Sequence, residues 1–136
     1  MKKSNRANVL LMELMAAVLL FALSATVMIR IYAQAYEKSA RAGVMDDALC
    51  EAQNLAERLY AAGGTEGMQA LLSGEGFAQE DGLWRREAER FALEVLLSQE
   101  KTGAGVLSEA EVRAESGGEA LFALPLARYT GGEAER

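Results

Sequence analysis

One carboxylate, Glu13, stands inside the most apolar stretch of the chain, residues 9–31, whose other polar members are Ser24, Thr26 and Arg30. A charge near mid-membrane costs about 2.5–3.5 kcal/mol on insertion scales, and less near the interface. A buried carboxylate becomes tolerable when a cation sits beside it. The chemistry open to Glu13 is therefore ion pairing. Acid–base and nucleophilic chemistry find little support elsewhere. The chain has no histidine, which removes the commonest general base and metal ligand. Cys50 is the only cysteine, so no intrachain disulfide can form, and it reads as a small tolerated residue. No nucleophile–base pair or metal cluster can be picked out, so no catalytic residue, cofactor or metal is expected. The glycines follow no strand-then-helix phosphate-loop pattern. Trp84, Arg85 and Arg86 have two readings, a surface binding patch or an amphipathic strand, and the strand is favoured. Glu109, Glu111 and Glu115 alternate along a strand pattern and read as a solvated face.

The elements that position these residues follow from charge and periodicity. Lys2, Lys3 and Arg6 make the first eight residues basic, with no acid among them. Of the 20 acidic residues, all except Glu13 lie beyond Tyr32. Such an acidic C-terminal region does not favour nucleic acid as a direct partner. Residues 9–31 are rich in Leu, Met and Ala and hold neither Pro nor Gly. As a helix they extend roughly 34 Å, enough to cross a bilayer core. A basic start followed by an apolar run admits a secretory signal peptide, a plain signal anchor or a prepilin-type segment. Glu13 argues against the first, because a signal-peptide core carries no acid there. Arg30, Lys38 and Arg41 nearly balance the basic residues at the N-terminus. The short tail and the long acidic remainder favour the N-terminus inside the cell.

The helical pattern continues past the apolar run. Tyr32, Tyr36, Ala40, Val44, Ala48, Ala52, Leu55 and Leu59 recur at three- or four-residue spacing until Gly63-Gly64 supplies a stop. Residues 9–62 are thus expected to form one helix, roughly 80 Å long. Residues 63–82 read as a connecting loop with one helical turn near Met68. From Leu83 the period changes to two. Leu93, Val95 and Leu97 alternate with Glu94, Leu96 and Ser98, and Ser108, Ala110 and Val112 alternate with Glu109, Glu111 and Arg113. Ser116-Gly117-Gly118-Glu119 reads as a hairpin turn. Phe122, Leu124 and Leu126 line one face of a last strand, in which Pro125 marks an edge or a bulge. The expected fold is α+β: a long N-terminal helix, transmembrane in its lower half, packed on a C-terminal antiparallel sheet of about three strands at 83–129. Residues 130–136 read as a frayed tail.

The first 60 residues and this lollipop architecture resemble the type IV pilin-like superfamily. The resemblance is carried by the basic leader at 1–8 and by Val9-Leu10-Leu11-Met12-Glu13, with Glu13 fifth after the leader, followed by the apolar helix. It implies cleavage by a prepilin peptidase between Asn8 and Val9, methylation of the new amine, and neutralisation of a neighbour's amine by Glu13 in a filament. It also implies other pilin-like subunits, an assembly platform and the membrane as partners. Asn8 stands where the family has glycine, Val9 replaces phenylalanine, and the helix lacks the proline that kinks many major pilins. These departures point to a minor pilin or pseudopilin of a pilus, type II secretion or competence-type filament. The chain would be single-pass in the cell membrane, with its C-terminal domain outside the cytoplasm. The alternative from the residues alone is a signal-anchored adaptor or scaffold with an extended helix, never processed.

Overall fold

A computed structural model describes residues 2–132. The first leader residue and residues 133–136 of the expected tail lie outside that range. The elements are α1 (Lys2–Ala61), α2 (Thr65–Gly74), β1 (Ala78–Glu80), β2 (Leu83–Glu87), β3 (Ala92–Thr102), β4 (Gly105–Ser116) and β5 (Glu119–Gly131). The chain divides into two compact units between Ala42 and Gly43, and α1 runs through the division.

The N-terminal unit is helix alone. Its side chains from Val9 to Ile31 are broadly exposed, as those of a helix apolar all round must be when nothing in the chain covers it. The two hydroxyls satisfy themselves locally. Ser24 Oγ donates to the Leu20 carbonyl and Thr26 Oγ1 to that of Ala22, each at 2.9 Å. The helix starts earlier than the expected Val9, at Lys2. No residue from 2 to 8 is Gly or Pro, so nothing breaks it there. It ends at Ala61, and Gly63 at φ +97° adopts the left-handed conformation that helix exits favour.

The C-terminal unit is a five-stranded antiparallel meander in the order β1-β2-β3-β4-β5, with helix on one face. Ala48, Ala52, Leu55 and Leu59 of α1, with Met68 and Leu72 of α2, are buried against Leu93, Val95, Ala110, Val112 and Ala114 of the sheet. The small alanines let helix and sheet backbones approach closely. The expected alternation holds: Ser108, Ala110, Val112 and Ala114 face inward, while Glu109, Glu111, Arg113 and Glu115 do not.

Three details differ from expectation. The sheet has five strands, not about three. β1 has three exposed residues and β2 only one buried apolar residue, so neither shows a full alternating face. The turn joining them, Asp81-Gly82 with φ of 51° and 80°, is the mirror-type hairpin turn that an Asp-Gly pair favours. The segment at 63–82 holds a ten-residue helix, because Met68 and Leu72 cap the core. The last strand reaches Gly131, past the expected start of the frayed tail, and Gly132 N–H still donates to Ala104 O at 3.0 Å. Pro125 lies on β5, the edge strand, whereas the bulge between β4 and β5 among the described residues is at Ala114/Glu115. Its missing donor is thus explained by an edge position.

Candidate functional site

Asn8, Val9 and Glu13 all lie in α1, within its first four turns. Four residues separate Val9 from Glu13, slightly more than one turn, which puts them on one face. A shallow concavity on that face is lined by Asn5, Arg6, Val9, Leu10 and Glu13. Val9 is 65% exposed, and Glu13 is exposed without a hydrogen bond or ion pair to any described residue. The arrangement leaves a carboxylate on an apolar helix surface, open to a cation from outside the chain. The same geometry keeps the Asn8–Val9 peptide in helical conformation. A helical peptide is folded against its neighbours by its own hydrogen bonds, so a protease that reads extended backbone must first unwind it. By length and composition, α1 can cross a membrane.

Several charged groups form pairs within the C-terminal unit. Arg85, on the sheet face away from α1, bonds Glu94 at 2.5 Å and Glu87 at 3.3 Å, with Glu115 at 3.6 Å. The hydrogen bond to Glu94, then that to Glu87, raises the Arg85 pKa above its ordinary value. Arg113 is raised likewise by its bond to Glu111. Arg86 points the other way. It bonds Glu51 of α1 at 3.2 Å and Glu75 at 3.5 Å, and its guanidinium sits 4.8 Å over the Phe77 ring. Arg90 pairs with Asp47, Arg58 with Glu75, and Arg128 donates to the Tyr60 carbonyl while covering its ring. Trp84 is buried in the core. The Trp84-Arg85-Arg86 run is therefore an amphipathic strand that ties helix to sheet. Arg86 reaches Glu51 of α1 across 35 positions and Arg85 reaches Glu94 of β3 across 9, so the helix and strand partners follow from the fold and not from a helical or strand repeat around the run.

Glu109 accepts from Ser98 Oγ at 3.3 Å, Glu111 pairs with Arg113, and Glu115 faces Arg85. No group of three or more His, Cys, Asp or Glu among the described residues has the geometry of a metal site. Comparison with family models, with curated proteins and with solved structures finds no match to this chain.

Proposed function

We propose that this chain is a structural subunit of a pilin-like filament, a minor pilin or pseudopilin, held in the cell membrane by residues 9–31 and assembled through α1. Its role is non-enzymatic. The observation that carries the reading is Glu13: an unpaired carboxylate in the apolar stretch of α1, one turn from Val9. Cleavage between Asn8 and Val9 frees an amine, and Glu13 of an adjoining subunit neutralises it. In a low-dielectric bundle each charge offsets the desolvation of the other. The unbroken helix from Lys2 to Ala61 supports the reading too, because it supplies a continuous surface for neighbouring subunits. The N-terminus lies in the cytoplasm, and the prepilin peptidase and assembly platform act on the membrane-held form.

Mass spectrometry of the mature protein tests this. The mature chain starts at Val9, N-methylated. Glu13→Ala leaves membrane insertion intact or improves it, since an acid leaves the apolar run, yet it reduces incorporation into the assembly. Retention of residues 1–8 in cells that process other prepilins, with Glu13→Ala affecting insertion alone, overturns the proposal. The second reading, a signal-anchored adaptor that keeps its leader, then stands. The observation favouring it is the helix that passes through Asn8–Val9 without a break.

A further inference from the structure

We propose that residues 30–41 of α1 form an interfacial collar for a phospholipid headgroup layer. Tyr32 and Tyr36 are lowered toward the acyl chains, and Arg30 and Lys38 are raised to the lipid phosphates. The inference rests on the reading of residues 9–31 as a membrane span.

Two large aromatic side chains stand exposed just beyond the apolar run, Tyr32 at 78% and Tyr36 at 77%. At about 100° per residue they lie about 40° apart, with Ile29 and Ala40 on the same side. The apolar core takes nothing from this part of α1, since its first packed side chain is Val44. The opposite side of the same turns carries Arg30, Gln34, Lys38 and Arg41, with Glu37 as its one acid. Arg30 and Lys38 are exposed and make no hydrogen bond or ion pair with a described residue. Tyrosine, with an apolar ring and a polar tip, partitions to the headgroup level. Lys and Arg reach phosphates from an apolar flank by extending their stems. Directly before this segment the helix is apolar all round, so the collar stands where a span that ends at Ile31 meets the headgroups. Phosphate complements the two unpaired cations and the acyl–glycerol zone complements the tyrosine side.

A collar with tyrosines on one side and bases on the other tilts the helix where it leaves the bilayer. The tilt inverts an order of depth. Gln34 lies roughly 3 Å nearer the apolar span than Tyr36 along the axis. On an upright helix position 34 is the deeper of the two; on the tilted collar position 36 is deeper.

The test uses the full chain with Cys50→Ser. Single spin labels are placed at Leu20→Cys, Gln34→Cys and Tyr36→Cys in vesicles of phosphatidylcholine and phosphatidylglycerol. Collision with oxygen is compared with collision with a water-soluble nickel complex. Expected is label 20 in hydrocarbon, with label 36 deeper than label 34, and loss of that inversion when Arg30→Gln and Lys38→Gln are added. Label 20 in hydrocarbon with label 34 deeper than 36 overturns the collar and leaves the span standing. Label 20 in water overturns both. Spin–spin broadening at 36 without lipid contact shows a second copy's helix on the tyrosine face and overturns the lipid assignment. An inversion that survives the double substitution overturns the role of the phosphates.

Discussion

Arg86 on β2 reaches Glu51 on α1 at 3.2 Å, while its guanidinium covers the Phe77 ring at 4.8 Å. A single side chain therefore joins helix, sheet and the turn after α2. The ion pair is partly exposed, with Glu51 at 49% and Arg86 at 28%, so screening limits its Coulomb energy to at most about 1 kcal/mol. The larger part is contact: the stacked guanidinium and a bond to the Glu75 carbonyl at 3.3 Å. Glu51→Gln should lower stability by about 0.5 kcal/mol. Arg86→Ala should cost about 2 kcal/mol, because it removes packing and several bonds together. Denaturant unfolding of the full chain in detergent, followed by Trp84 fluorescence, measures both. Equal costs for the two variants would mean that the pair, and not the packing, holds the joint.

The stripe along α1 divides at Val44. Leu59 is fully buried, and truncating it to alanine leaves a cavity between helix and sheet, at a cost of about 2–5 kcal/mol. Tyr36 belongs to the same run of three- and four-residue spacings, but it stands about 140° around the helix from Leu59 and is 77% exposed. Tyr36→Ala should change the unfolding free energy of the C-terminal unit by less than about 0.5 kcal/mol. A large loss from Tyr36→Ala would place that residue in the folding core.

The long helix, the inward faces of β3, β4 and β5, and the Ser116-Gly117-Gly118-Glu119 turn were legible because each rests on a local period or a local turn residue. Residues 117 and 118 both adopt positive φ, as a two-residue hairpin of that hand requires. The limit of the buried stripe was not legible. Tyr32, Ala40, Val44 and Ala48 follow at spacings of four or eight, each step of four turning about 40° around the helix; the face drifts by about 160° from Tyr32 to Ala48, and the placement of the sheet decides where along that drift cover begins. β1 escaped detection because its three residues are all exposed and carry no burial pattern. α2 was underestimated because its glycines, Gly67 and Gly74, outweighed the i, i+4 pair of Met68 and Leu72. In the candidate site, the position and isolation of Glu13 could be read from sequence. The helical state of Asn8–Val9 could not, since an expected leader boundary hid the absence of any helix breaker.

Arg85 gives a pH prediction with a definite sign. Its folded pKa is raised above the ordinary guanidinium value, first by the Glu94 bond and then by Glu87. A raised folded value means that the stabilisation is fully present below the unfolded pKa and is lost only as pH climbs through the folded one. Between neutrality and about pH 9 the Arg85 cation therefore contributes a constant amount. The difference in unfolding midpoint between the native chain and Arg85→Met should stay flat over that range. A difference that shrinks before lysine and tyrosine titrate would show that the Arg85 cluster is not intact in solution.

The last prediction concerns Asn8, where helix and processing oppose each other. Asn8 sits within α1 and contributes to a helix that carries the Asn8–Val9 bond in folded form. Glycine costs a helix interior about 1 kcal/mol relative to alanine, with asparagine between them. If unwinding limits access of the peptidase, the rate of processing should follow local helix weakness. Asn8→Gly should then be cut faster than the native chain, and Asn8→Ala more slowly, although alanine is the smaller of the two non-glycine side chains. If side-chain size alone governs access to the protease site, alanine should instead fall between glycine and asparagine. Pulse-labelling in cells that process other prepilins, with the leader-bearing and mature forms separated by mass, ranks the three chains. The order Gly, Asn, Ala supports unwinding; the order Gly, Ala, Asn sinks it in favour of size; equal and complete retention of the leader in all three sinks processing itself.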